Sequence, residues 1–408
     1  SQDHISAWLA HGATYLRAAL ASVFRCRVIA DHLGFRKWYP PQKKSLTLLL
    51  GHAARWARND GTQLLSKGQD AKAAEPMWNA LCKQASVTKA VRHEMVLSGL
   101  IDGRRSEAKV RCDSRLSKPT GHDEDASCAV MQRGWQHRGP RVAVDFSESN
   151  MLIEATGSKG VSILSGEWTA GVELDGQAQL QLAGWEQLCW YTDDDVDYLE
   201  IEAKFGEHAK LQRQIVFMRD HRLLLAADAL LCDKDGNWSM SSSLPMASKS
   251  ELKIESKNTE GRIIADKVNS LVLPLYLPEW RAALSTGSLT QGDKATHGGK
   301  GAIAVCNSCS GVRRLYSPVL ISLCNRHSKS SYTWRQLTVA EDLKIVSRDQ
   351  AVAYRVQIGN EQYVFYRNLA TVKRRSFLGV HALCEFFAGS FDKDSGEADT
   401  LVEVEMNK

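Results

Sequence analysis

The sequence predicts an α+β chain of more than one domain, with an N-terminal helical region followed by a large antiparallel β-sandwich. Three observations predict it. The chain has 408 residues, more than a single hydrophobic core usually serves. Apolar residues recur at helical spacing only in roughly the first hundred positions. After Ala129 the period falls to two, in many strand-like runs joined by short connections with no long helix between them.

Along residues 4–33 the apolar positions Leu9, Leu16, Leu20, Phe24 and Val28 share one helical face, and Gly34 supplies a stop. Tyr39-Pro40-Pro41 breaks the chain. A second helix is expected over 44–58, ended by Asn59-Asp60-Gly61, and one or two more between 71 and 100. These make residues 1–110 a helical region. Residues 111–128 follow as a polar linker, and 129–408 as the β domain. Its clearest strand is 198–205, where Leu199, Ile201, Ala203 and Phe205 alternate with Glu200, Glu202 and Lys204, as in a strand with one wet face. Similar runs are read at 211–218, 222–231, 252–255, 315–324, 351–358, 362–369 and 401–405. Asp235-Gly236-Asn237 and Gly359-Asn360 mark turns between them.

Composition narrows the function classes. A net charge of +5 on 99 ionic side chains helps attract a polyanion but falls well short of a nucleic-acid-binding signature. No apolar run is long enough to insert into a membrane. The ten cysteines are scattered through apolar runs, which favours buried thiols over a disulfide framework. The chain opens on Ser1 without the basic and apolar regions of a leader. There is no P-loop, dinucleotide fingerprint or Gly-x-Ser-x-Gly elbow, so phosphoryl transfer, hydride transfer and serine hydrolysis lack support.

Several stretches carry a likeness to a known family. They are Cys128-Ala-Val-Met-Gln-Arg-Gly-Trp135, Trp334-Arg-Gln-Leu-Thr-Val-Ala340, Ala351-Val-Ala-Tyr-Arg355 and Tyr366-Arg-Asn-Leu369. With the order of helical hairpins then β-sandwich, they resemble heparinase II/III-type polysaccharide lyases, and within them the uncharacterised heparinase-like branch. The resemblance implies a bacterial protein with a partial α/α toroid over 1–110 and a super-sandwich over 129–408. It implies an acidic, uronate-containing polysaccharide such as a glycosaminoglycan as partner, cleaved by β-elimination. Two departures stand against it. A hundred residues hold only part of a toroid, and the stretch 142–166, where the family's lyases carry a His-Gly-His type segment, has no histidine. A carbohydrate-binding or structural protein that keeps the lyase fold, or a fragment of a larger enzyme, is therefore the alternative. The resemblance implies the periplasm or cell envelope, whereas the absent leader and unpaired cysteines point to a reducing interior. Oligomeric state is left open.

A lyase of this kind removes the proton α to a uronate carboxylate and expels the 4-linked sugar, so it needs a carboxylate neutraliser, a base and an acid. Asp3-His4-Ile5-Ser6 resembles a loop at the toroid mouth, which makes His4 and Tyr15 the catalytic candidates, with Arg17 close by. His52, Arg55 and Trp56 share one side of the second helix and could line a cleft; such a trio is more often a structural face. Trp135, Trp168, Trp185, Trp190 and Tyr191 cluster in the first strands, and sugar rings stack on exposed aromatics, though most tryptophans in sandwiches are core. Arg133, Arg213 and Arg219 could fork onto carboxylate or sulfate, against ion pairing with Glu200 and Glu202 as the ordinary role.

No cofactor is demanded by these readings, and two metals are weighed. Cys306-x2-Cys309 followed by Cys324-x2-His327 has the spacing of four zinc ligands, set against their lying on two strands. Asp233-Lys-Asp235-Gly-Asn237 and Thr192-Asp-Asp-Asp-Val-Asp197 have a passing look of calcium loops, with a hairpin turn and an acidic loop as the plainer readings.

Overall fold

The computed structural model describes residues 16–35, 39–58, 60–66, 75–101, 116–135, 139–292, 301–391 and 397–405. The chain forms two compact units, one ending at Gly160 and the other beginning at Val161.

Among the described residues of the first unit there are four α-helices: α1 (Leu16–His32), α2 (Pro40–Arg55), α3 (Glu75–Ala85) and α4 (Lys89–Leu97). No closed toroid is formed by them. Helix α2 starts where Pro40 and Pro41 can occupy the first turn without losing a needed N–H, and the Gln42 carboxamide accepts from the Tyr39 amide at 3.1 Å. Leu46, Leu49, Leu50, Ala53 and Ala54 make its buried face. The helices do not close a core alone. They share one with the meander β1 (Gly121–Asp123), β2 (Cys128–Gln132), β3 (Arg141–Asp145) and β4 (Met151–Thr156), whose Cys128, Val130 and Ala143 pack with Leu50, Trp56, Trp78 and Leu81. The segment read as a linker thus contributes β1, and the first unit takes in strands as well as helices.

One buried carboxylate anchors the chain after α2. Glu154 on β4 receives Arg58 Nε at 2.5 Å and Arg58 Nη2 at 2.7 Å, and it accepts the Leu65 amide at 2.8 Å. The ordinary cost of burying a carboxylate is met by three charge-assisted or amide donors, which ties Arg58 and Leu65 to β4. Gly61 turns there at φ +75°, a conformation that favours glycine.

The described strands of the second unit all pair antiparallel. One sheet has the order β5 (Ser162–Leu174), β11 (Asn237–Pro245), β16 (Ala302–Ser310), β15 (Ser288–Gly292), with β6 (Gln177–Gln179) on β5. A second, of eight strands, runs β12 (Ser250–Ile254), β13 (Gly261–Ala265), β14 (Val268–Pro274), β17 (Arg314–Ser322), β10 (Leu223–Cys232), β9 (Ala209–Met218), β8 (Val196–Phe205), β7 (Glu186–Thr192). A third consists of β18 (Tyr332–Leu337), β21 (Ala351–Ile358), β22 (Glu361–Asn368), β25 (Phe386–Phe391) and β26 (Ala398–Val404). A small fourth joins β19 (Ala340–Glu341), β20 (Lys344–Ile345), β23 (Arg375–Phe377) and β24 (Val380–Ala382). Tyr198, Val216, Leu225, Leu320, Val356 and Phe365 form the core between the eight- and five-stranded sheets.

That layering corrects the reading of 198–205. The polar face is wet only toward the end of the strand, where Lys204 is exposed and Glu202 half-buried; Glu200 is buried, and Arg367 on β22 meets it at 2.6 Å. Tyr198 donates to the same carboxylate, and Gln214 bridges Tyr198 and Tyr316 at 2.8 and 2.9 Å. A buried polar residue paired across two sheets gives the same alternating sequence pattern as a solvated strand face.

Candidate functional site

In the first unit the end of α2 brings together three of the expected residues. Arg55 Nε donates to the Lys118 carbonyl at 3.0 Å and Nη2 to Ser117 Oγ at 2.7 Å, while the guanidinium carbon lies 5.9 Å from the Trp135 ring centroid. Trp135 is itself fixed, its Nε1 donating to the Ser117 carbonyl at 2.7 Å. Buried Glu94 on α4 accepts the Ser117 amide at 2.8 Å, so one carboxylate orients the segment that holds both Arg55 and Trp135. The close passage of Arg55 explains Gly121: a Cβ there would meet Arg55 Cδ at 3.0 Å.

His52 stands one turn before Arg55 and is half-buried. Burial first, and the Arg55 charge second, push its pKa down to about 4, so the imidazole is neutral at physiological pH. Its ring forms no hydrogen bond with any described residue. Burial also lowers the Arg55 pKa, and Glu94 raises it in part. Arg55 Nη1 has no partner among the described residues. A neutral imidazole beside a guanidinium N–H edge, neither engaged by a described residue, can take a proton next to a carboxylate that the guanidinium holds.

The other expected residues fall elsewhere. His4 and Tyr15 lie outside the described residues. Arg17 is half-buried at the start of α1, its amide donating to Gln63 Oε1 at 2.9 Å. Arg133 is exposed in the turn before Trp135. Trp56, read as lining a cleft with His52 and Arg55, is a core residue at the helix end. In the second unit Trp168 is buried, with its Nε1 donating to Ser242 Oγ, and Trp190 is half-buried on β7. Trp168 and Trp185 clamp a different group. The Arg213 guanidinium carbon sits 3.9 and 4.7 Å from their ring centroids, and its nitrogens pair with Asp228 at 2.8 and 3.0 Å. Arg219 pairs with Asp197, and Lys210 with Glu202 at 2.8 Å. Arg213 and Arg219 are therefore structural, with partners other than Glu200 and Glu202.

The four zinc candidates lie in two separate pairs. Cys306 and Cys309 are on β16 and Cys309 Sγ approaches the Val312 carbonyl, whereas Cys324 and His327 follow the far end of β17. Nine strand residues at about 3.3 Å each separate the two pairs, several times the span of one tetrahedral ion. His327 Nδ1 instead lies 2.8 Å from Ser322 Oγ. Burial raises the Cys324 thiol, but the hydrogen bond and charge of His327 outweigh it and bring it down to about 7. Asp235 pairs with Arg313 at 2.7 Å in the β10–β11 turn, His208 Nδ1 lies 3.0 Å from Asp233, and Asp193 accepts the Asp195 and Val196 amides. No group of three or more His, Cys, Asp or Glu side chains converges on a metal position among the described residues. The nine described cysteines are all free thiols. No described helix is long and apolar enough to cross a membrane.

No protein-family model and no curated protein matches the sequence. Solved structures do match the fold. Heparan sulfate lyase HepC from Pedobacter heparinus aligns with 90% of this chain at TM-score 0.60 and 10% identity, using 59% of its own length. A heparinase III gene product aligns with 88% of the chain at TM-score 0.60 and 12% identity, over 58% of its length. A further heparinase III aligns with 87% at TM-score 0.62 and 11% identity, over 59%. The chain thus has a heparinase-like fold and spans somewhat less than three-fifths of the length of these lyases.

Proposed function

We propose that this protein acts on an acidic, uronate-containing polysaccharide and cleaves it by β-elimination, with His52 and Arg55 at the reacting sugar. The observation that carries the reading is a neutral imidazole that no described residue engages, beside a guanidinium whose Nη1 has no partner among the described residues, in a chain whose fold is that of heparan sulfate lyases. Arg55 Nη1 would engage the uronate carboxylate and stabilise the charge that builds on it. His52 would take the α proton. The electron pair left behind forms the carbon–carbon double bond, the bond to the 4-linked oxygen breaks, and that oxygen receives a proton as it leaves. His4 and Tyr15 are proposed as the acid that supplies it. The histidine-free stretch 142–166 favours a second reading, a carbohydrate-binding protein that retains the lyase fold without turnover.

The test is ultraviolet absorbance of the unsaturated uronate during incubation with heparin, heparan sulfate, chondroitin sulfate, hyaluronan, alginate and ulvan. Absorbance should rise on one polymer, and the rise should be lost in His52→Gln. His4→Ala and Tyr15→Phe read the acid role in the same assay. A flat trace with every polymer, alongside retention of one of them, supports the second reading.

A further inference from the structure

The second unit contains a groove of about 1160 Å³, open to solvent, between the loop after β14, the β16–β17 turn, β18 and the loop before β21. This exceeds the space a drug-sized ligand usually fills and suits several linked sugar rings. Its lining includes Arg314, Arg335 and Arg348, against Glu279 and Asp349 as its carboxylates. The three guanidinium groups form no hydrogen bond or ion pair with any described residue, in a unit whose buried arginines are all paired. Glu279 is turned to Thr333, accepting its hydroxyl at 2.7 Å. Arg335 also lies directly opposite Arg355 in the β18–β21 ladder, and like charges facing each other across a ladder are destabilising. Arg355 leans away to Gln362 Oε1 at 3.1 Å.

The same groove is lined by Trp280, 60% exposed. Its backbone is held on both sides: the Thr259 amide donates to the Glu279 carbonyl, the Arg281 amide to the Lys257 carbonyl, and Trp280 itself bridges Asn258. A large aromatic side chain is thus displayed on a backbone that is already ordered, so little freedom is lost when a ring stacks on it. Trp334 stands against it as a contrast in the same groove wall, buried and with its Nε1 donating to the Leu277 carbonyl at 3.0 Å.

We infer that this groove is a binding site for a sulfated or carboxylated oligosaccharide segment, with Trp280 stacking on a sugar ring and Arg314, Arg335 and Arg348 forking onto its anionic groups. The groove lies in a different unit from His52 and Arg55, and binding there needs no bond cleavage. The choice of a polysaccharide over another polyanion rests on the proposed function; the cation–aromatic pairing is the groove's own.

The experiment uses the full chain with fluorescent heparin and heparan sulfate octasaccharides, a neutral dextran oligosaccharide, and single-stranded poly(U) RNA as the competing polyanion. Binding is measured by anisotropy for wild type, Trp280→Ala, the triple variant Arg314→Ala/Arg335→Ala/Arg348→Ala, and His52→Gln. The sulfated octasaccharide should bind and the dextran should not. The triple variant should bind at least about tenfold more weakly, as expected when several charge-assisted hydrogen bonds are lost, with its circular dichroism and melting unchanged. Trp280→Ala should weaken binding less, and His52→Gln should leave this component intact. Equal binding by wild type and the folded triple variant overturns the inference, as does a preference for poly(U). If no polymer is cleaved but the triple variant loses octasaccharide binding, the proposed lyase activity fails and the groove stands.

Discussion

Arg213 on β9 and Arg314 on β17 belong to the same sheet, yet they are used in opposite ways. Arg213 is fully buried, stacked between Trp168 and Trp185, with two bonds to Asp228 and one to the Trp168 carbonyl at 2.8 Å. Arg314 is half-buried at a groove edge with no partner among the described residues. An arginine taken out of water must bring its counter-charge and acceptors with it, so Arg213 is satisfied by the protein and has nothing left for a ligand. Arg314, Arg335 and Arg348 keep their donors. In this molecule an arginine's capacity for recognition is read from what it lacks.

Four changes break or sharpen that contrast. Removing Arg213 should have the largest effect: Arg213→Ala strands a buried Asp228 and should cost about 3–5 kcal/mol in urea denaturation, whereas the double change Arg213→Met/Asp228→Leu should recover much of it. Trp135→Ala should cost about 3 kcal/mol, because it empties a packed site and leaves the Ser117 carbonyl without its donor. Loss of wild-type character in neither case would contradict the burial of both.

His52 supplies an intermediate effect through pH. Its folded pKa of about 4 lies below the unfolded value near 6.5, so above pH 6.5 both states are neutral and its contribution is complete. As pH falls from about 6.5 toward 4, the unfolded chain binds a proton that the folded chain refuses, and stability should fall by on the order of 2 kcal/mol before levelling off. His52→Gln should flatten that part of the stability profile. The smallest effect belongs to the groove: Arg314→Ala/Arg335→Ala/Arg348→Ala should change stability by no more than about 0.5 kcal/mol, since these side chains bond to no described residue. A large loss would mean that they hold the fold together.

The same distinction separates what was legible in the sequence from what was not. Period-two patterns located β8, β9, β10, β21 and β22 to within a residue or two at their ends. The polarity of Glu200 was misread because its partner, Arg367, is supplied by a different sheet 167 positions away, and no local pattern encodes it. Helical spacing found His52 and Arg55. It also swept in Trp56, which shares their side of the helix in projection but sits past its end and turns into the core. Glu94 and Ser117 were missed because their importance comes from holding Arg55 and Trp135, a relation visible only in three dimensions. The groove arginines come from separate strands and loops. Trp280 did carry a local signal, as a tryptophan following Pro278-Glu279 between two strand patterns, where a loop exposes what a strand would bury.

The most direct measurement is mass spectrometry of the products formed from a size-defined heparan sulfate oligosaccharide by wild type and His52→Gln. β-Elimination by His52 and Arg55 should give two fragments whose masses sum to that of the substrate, one of them unsaturated, and His52→Gln should give none. Fragments whose masses sum to substrate plus water, or an uncleaved oligosaccharide with wild type, would contradict it.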